Sequence, residues 1–208
     1  MNRVAVVSAG LGVPSSTRLL ADRLAMATSE ALDGRLELDV IELRPLAHAL
    51  ADNLLTGFPA GDLTEAVETV RRADGLVVVS PVFSASYSGL FKTFFDVLEP
   101  GLLDGKPVLV AATAGTARHS LVLDHALRPL FSYLNAVVVP TGVFAASEDF
   151  GSTDDGRLAE RVQRAAGELA ALVSGRRGLH VVPDEPDDLA DPVPFEELLR
   201  RAGSRATR

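Results

Sequence analysis

Residues 74–100 read DGLVVVSPVFSASYSGLFKTFFDVLEP (Asp74–Pro100), a strand, a loop and a helix in that order. Leu76-Val77-Val78-Val79 is apolar at consecutive positions, without the polar alternation of a half-exposed strand. Such a run needs cover on both faces, which a parallel sheet flanked by helices provides. Ser80-Pro81 is expected to halt the strand, because Pro81 lacks an N–H and restrains its predecessor. Small and aromatic residues follow, Val82 to Tyr87, and then a helix for which Ser86 or Ser88 is the N-cap. Its apolar content is Leu90, Phe91, Phe94, Phe95, Val97 and Leu98. Open α/β sheets place ligands on loops at the carboxyl ends of central strands, so this loop is read as the seat of a flat aromatic group.

The amino-terminal segment repeats the plan. Val4 to Val7 is an apolar strand, Ser8 to Arg18 (SAGLGVPSSTR) is a loop of glycines and hydroxyls, and Leu19 to Met26 is helical in pattern. The first turn of a helix offers unspent N–H groups and a partial positive charge, which suits an anion. Ser15, Ser16 and Thr17 add hydroxyls and Arg18 adds a forked cation, a set matched to a phosphate monoester. The alternative is that Ser15 or Ser16 merely caps the helix. A nucleotide P-loop is excluded because no lysine follows these glycines. The dinucleotide pattern G-x-G-x-x-G fails as well, since Ser15 stands at its third glycine.

Further along, Arg35 to Leu43 alternates as an edge strand does, and Arg44 to Asp62 is read as irregular, with turns at Pro45, Gly57, Pro59 and Gly61. His48 is a surface or loop residue in that reading. Leu63 to Arg72 is a short amphipathic helix. Pro107 to Ala112 is the fourth strand and ends in a loop of small residues, Thr113-Ala114-Gly115-Thr116-Ala117, that lets the backbone approach a bound group. A helix over about residues 120–134 is expected to kink or end near Arg128, ahead of Pro129. Arg118, His119, Asp124 and His125 cluster there without a G-x-S-x-G nucleophile, which argues against hydrolase chemistry. Ala136 to Val139 is the fifth strand, extended past Pro140 by Gly142 to Ala145, and Arg157 to Ser174 is the last long helix. Residues 1–175 form one domain, and residues 176–208 (opening RRGLHVVPDEPDDLADPVP) an extended or disordered extension with one short helix, Phe195 to Ala202.

Composition narrows the function. The 208 residues are 47% hydrophobic, enough for a two-sided core. A net charge of −8 argues against nucleic-acid or anionic-membrane binding. Cysteine is absent, which removes disulfides, thiol catalysis and thiolate metal sites, and no metal site is expected. The apolar run after Met1-Asn2-Arg3 is too short for a signal peptide and no stretch is long enough to span a bilayer, so a cytoplasmic protein is expected.

Five β/α alternations with apolar strands predict an α/β fold, a doubly wound parallel sheet with helices on both faces. The phosphate loop after the first strand favours the flavodoxin-like order two-one-three-four-five, whose ligand sits between the loops after strands one and three. At this point the segments PSSTRLLADRL, ADGLVVVSPVFSASYSGLFKTFFDVLEP and LLDGKPVLVAATAGTARHSLVLDHALRPLF resemble the NADPH-dependent FMN reductase family. The likeness is to the flavin reductases of two-component monooxygenases, those with luciferase-like or sulfonate partners included, and spans roughly Val4 to Phe150.

The resemblance implies an NAD(P)H:FMN oxidoreductase with FMN and NADPH or NADH as cofactors. Ser8, Ser15, Ser16, Thr17 and Arg18 would surround the FMN phosphate. Pro81, Val82, Phe83, Ser84 and Ser86 would line the ring system, and Thr113, Ala114, Gly115 and Thr116 its pyrimidine side. The first loop departs from the commoner G-S-x-R-x-x-S pattern, having Ser8-Ala9-Gly10-Leu11 instead. His125 falls where the sulfonate-type relatives carry an inserted residue in a π-bulge; a plain helical histidine at a subunit contact is the alternative. No catalytic side chain is needed for hydride transfer, because the flavin supplies the redox chemistry. The Leu90–Leu98 helix lies in the family's dimer contact, so a homodimer or tetramer is expected, along with a monooxygenase partner. Arg18 or Arg118 would meet the 2′-phosphate of NADPH. The rival readings are a quinone or azo reductase, a flavodoxin-type electron carrier, and a flavin-free regulatory module.

Overall fold

The apolar runs of the sequence lie side by side in a computed structural model that describes residues 2–150 and 155–175. The strands are β1 (Asn2–Ser8), β2 (Leu36–Glu42), β3 (Gly75–Phe83), β4 (Ser86–Tyr87), β5 (Pro107–Ala114), β6 (Val137–Val138) and β7 (Val143–Ala146). The sheet runs β2-β1-β3-β5-β6. β1 is parallel to both β2 and β3, and β3 to β5. β6 and β7 are two halves of one edge strand, because both run parallel to β5, one at Pro107–Val108 and the other at Ala111–Ala114. Counted as one, they complete the expected order two-one-three-four-five.

Alternation along the central strands sends successive side chains to opposite faces. Ala5, Val7, Leu76, Val78, Val108 and Val110 meet α2 (Ala47–Thr56), α3 (Asp62–Arg72), α4 (Gly89–Asp96) and α5 (Arg128–Tyr133) in one core. Val4, Val6, Val77, Val79, Leu109 and Ala111 meet α1 (Ser16–Ala31) and α6 (Asp155–Gly175) in the other. This two-sided burial is why the strands carry unbroken apolar runs. Within the first core Phe91, Phe94, Phe95 and Phe131 form one aromatic cluster, with edge-on pairs at 4.9 Å (Phe95–Phe131) and 5.3 Å (Phe94–Phe95). The phenylalanines of α4 therefore fill this chain's own interior.

Three local expectations need correction. Pro81 does not halt β3, which continues to Phe83. The Val79 carbonyl accepts from Ala9 N–H, on the β1 side. Pro81, two residues on, turns its nitrogen to the same side beyond the end of β1, where no partner needs a donor. Residues 44–62 are not all irregular either, for α2 lies within them and His48 sits exposed in its first turn. Gly57 is the helix stop, in the left-handed region at φ 79°, with its N–H donated to the Asn53 carbonyl. The helix expected over residues 120–134 opens instead as a π-helical turn, Leu123–Leu127, closed by Arg128 N–H on the Leu123 carbonyl, before α5 begins. His125 thus lies in a π segment, and Pro129 falls in the first turn of α5, where its missing N–H costs nothing.

Lys106, just ahead of β5, is 4% exposed. Its ammonium donates to the carbonyls of Val70 (2.7 Å), Arg71 (3.1 Å) and Ala73 (2.8 Å), capping the end of α3. No described helix is long and apolar enough to cross a membrane. The short helix expected over Phe195–Ala202 lies outside the described residues.

Candidate functional site

The order of the strands brings the loops after β1, β3 and β5 together at one edge of the sheet. In the first loop, Ser15 takes the extended backbone of an N-cap, and its Oγ accepts from Arg18 N–H at 3.2 Å. The capping role is therefore real, yet it uses one donor only. The N–H groups of Ser16 and Thr17 precede the first acceptor inside the helix, which leaves them for an anion. Gly10 passes so close that a Cβ there would lie 2.1 Å from Ser15 Oγ. The glycine is thus needed for close approach.

Ser16 is exposed, whereas Ser8, Thr17 and Thr113 are buried beneath the loop surface. Thr17 Oγ1 and Thr113 Oγ1 are 2.8 Å apart, so these hydroxyls bind each other across 96 residues of sequence. Arg18 is held by two carboxylates, Asp22 at 2.7 Å and Glu42. Glu42 also borders an acidic groove of about 260 Å³ along β2 and α3, together with Asp39, Asp62 and Glu65. The charge of Arg18 is thereby offset on that flank.

The second loop is a hairpin. Phe83 pairs with Ser86 and Val82 with Tyr87, and the two-residue tip, Ser84 (φ 49°) and Ala85 (φ 65°), has the left-handed backbone of a type I′ turn. Neither tip residue is glycine, so the hairpin holds a conformation that costs these residues energy. Its base is pinned by Ser80, fully buried, whose Oγ accepts from Ser88 N–H at 2.9 Å. Ser88, rather than Ser86, caps α4 by accepting from Phe91 N–H. Pro81 and Val82 are half-buried, and Phe83 is 47% exposed at the mouth.

In the third loop Ala114 is half-buried and Gly115 and Thr116 are exposed. A Cβ at Gly115 would meet no atom within 4 Å, so open space adjoins this backbone. Pro81 faces Thr113 in the β3–β5 register, which sets the second and third loops side by side. Arg118 follows in a tight turn, exposed and without an ion pair among the described residues.

Ser15, Ser16, Thr17, Arg18, Pro81, Val82, Phe83, Ser84, Ser86, Thr113, Ala114, Gly115 and Thr116 thus fall on three adjoining loops, with Ser8 beneath the first. The donors at the start of α1 and the close approach of Gly10 fit a phosphate monoester, and the backbone at Gly115 is open to a neighbouring group. Sequence reasoning missed Ser80 and the inward turn of Thr17 and Thr113, because a hydroxyl's partner leaves no periodic trace.

Comparison with known proteins agrees with this geometry. The family model described as NADPH-dependent FMN reductase matches residues 2–151. An FMN reductase (NADPH) of Pseudomonas aeruginosa is 39% identical over 182 residues, covering 85% of this chain and 95% of the relative. The NADH-dependent FMN reductase SfnF of Pseudomonas putida is 42% identical over 164 residues, 77% of this chain and 84% of that one. Among solved structures, an oxidoreductase from Corynebacterium diphtheriae superposes with a TM-score of 0.80 at 52% identity, covering 84% of this chain and 97% of the other. An NADH:FMN oxidoreductase, EMOB in its apo form, superposes with a TM-score of 0.72 at 29% identity, covering 82% and 89%.

Proposed function

The chain belongs to the NADPH-dependent FMN reductase family, and we propose that the three loops described above are where it binds its flavin. It is an NAD(P)H-dependent FMN reductase. The observation that carries the site is the start of α1, where the unspent N–H groups of Ser16 and Thr17 stand over a loop that Gly10 keeps narrow. FMN, when bound, supplies the electron-accepting ring that takes a hydride from the nicotinamide.

The chain's own residues do the rest. Backbone N–H groups at Phe83–Ser84 and Ala114–Gly115 orient the ring edge and favour negative charge on it. The type I′ tip holds the amide of Ser84 in place before any ligand arrives. Phe83 shields the ring from water, and the space beside Gly115 admits the nicotinamide. Arg118, without an ion pair among the described residues, is the cation for the 2′-phosphate of NADPH, while Arg18 is committed to Asp22 and Glu42.

The product is reduced flavin for a partner monooxygenase, the role implied by the resemblance to two-component reductases. The protein works in the cytoplasm, where NAD(P)H is available and a chain without cysteine needs no oxidising compartment. It acts as a homodimer or a tetramer. Support for that assembly comes from the end of α2 and the turn after it, where Leu54, Leu55 (87% exposed) and Phe58 (77%) are exposed apolar side chains.

The test is oxidation of NADPH and of NADH by the purified protein, with and without added FMN, after its visible spectrum is recorded. FMN-dependent turnover is expected with at least one nucleotide. Turnover that needs a quinone and ignores free FMN would refute the proposal. Light scattering that shows a monomer at micromolar concentration would remove the assembly from it.

A further inference from the structure

We propose that Thr113 is a positioning residue that holds the phosphate end of the flavin site in register with the ring end. Thr113 is where all three loops meet. It is the next-to-last residue of β5, faces Pro81 across the β3–β5 ladder, and bonds Thr17 in the first turn of α1. Both threonines are 3% exposed, and a buried hydroxyl needs a partner, so each serves as the other's.

The contact does something that apolar packing cannot. Leu20, Ala21 and Leu24 press α1 onto the sheet. Burial of that kind is non-directional and tolerates small slides of the helix. A 2.8 Å hydroxyl pair is directional and sets the height of the α1 start within a few tenths of an ångström. Thr17 also carries one of the two unspent N–H groups, so its pinned side chain aims a donor at the phosphate. The ring loops are tied to the same point through the sheet, because Pro81 lies opposite Thr113 in the β3–β5 ladder. Valine has nearly the same shape without the hydroxyl, and it would fill the space while releasing the helix start.

The inference rests on the start of α1 being the phosphate seat, and the experiment separates the two ideas. FMN and riboflavin, which differ only in the phosphate, are titrated against the full chain by flavin fluorescence. The variants are Thr113→Val, Thr113→Ser, Ser16→Pro and the double Thr17→Val/Thr113→Val. Ser16→Pro removes one N–H at a position where proline suits a helix, and the extended backbone of Ser15 accepts a following proline.

Thr113→Val is expected to weaken FMN about five- to tenfold and riboflavin less than about twofold, in keeping with the loss of one hydrogen bond. Thr113→Ser keeps the hydroxyl and restores the preference for FMN. The double variant recovers the melting temperature lost in Thr113→Val, since no orphan hydroxyl remains, but not the preference. An equal loss of both flavins in Thr113→Val would overturn the proposal, as would a serine variant that behaves like valine. If Ser16→Pro reduces the preference while Thr113→Val does not, positioning by Thr113 alone is refuted. If Ser16→Pro leaves the preference intact, the phosphate seat is misassigned and both ideas fall.

Discussion

Gly10→Ala would be the sharpest single test of the phosphate loop. The added methyl would lie 2.1 Å from Ser15 Oγ and 3.2 Å from both Ser15 Cβ and Thr17 Cβ. Ordinary carbon contacts begin near 3.5 Å, so the first distance is a collision and the others are tight. Rotating Ser15 away would relieve the worst of it, but the rotation gives up the bond to Arg18 N–H. Losing an N-cap costs about 0.5–2 kcal/mol, and the two remaining contacts push the estimate toward the upper half of that range. For a domain of this size about 1–2 kcal/mol corresponds to a fall of roughly 2–8 °C in melting temperature. Where the distortion falls on the binding-competent loop, the same energy means about a 5- to 30-fold loss of FMN affinity. Thermal melts of the flavin-free protein and a fluorescence titration with FMN read the two effects. Gly10→Ala/Ser15→Gly should recover most of the stability, because glycine at an N-cap costs only a few tenths of a kcal/mol and takes the colliding hydroxyl with it. An unchanged melt and affinity in the single variant, or a double variant no better than the single, would refute the close-approach argument.

Lys106→Met is expected to lower stability by about 2–4 kcal/mol, because it strips three carbonyls at the end of α3 of a buried cationic donor; a urea unfolding shift under about 1 kcal/mol would refute this. Ala85→Gly should stabilise the protein by about 0.5 kcal/mol or more, since glycine adopts φ 65° without strain, and a lowered urea midpoint would count against the type I′ reading. Arg118→Ala is expected to raise the KM for NADPH about fivefold and that for NADH less than about twofold, the size of one exposed charge-assisted contact. Equal changes with the two nucleotides, or none, would remove Arg118 from nucleotide recognition.

What the sequence determined by itself was whatever depends on neighbours along the chain. Val4–Val7 and Leu76–Val79 announced strands covered on both faces because an apolar run without alternation has no wet side. The hydroxyl and glycine cluster before α1 marked a helix start with unspent donors, because every helix begins with them. Even the π segment around His125 was legible, though through likeness to a family rather than through pattern. Residues 44–62 misled because Pro45 and Gly57 punctuate a helix as readily as a loop, and only the burial of Leu46 and Leu50 against the sheet tells the two apart.

The tertiary structure alone decided which groups separated along the chain face one another. Pro81 could stay in β3 because β1 ends before it. Phe91, Phe94 and Phe95 turned inward because Phe131 and the sheet were there to receive them. Lys106 found the end of α3, and Thr17 found Thr113, at separations along the chain that no local window reads. A residue's preference for helix, strand or cap is written in its covalent structure and its near neighbours, whereas a hydrogen-bond partner is assigned only when the chain folds back on itself.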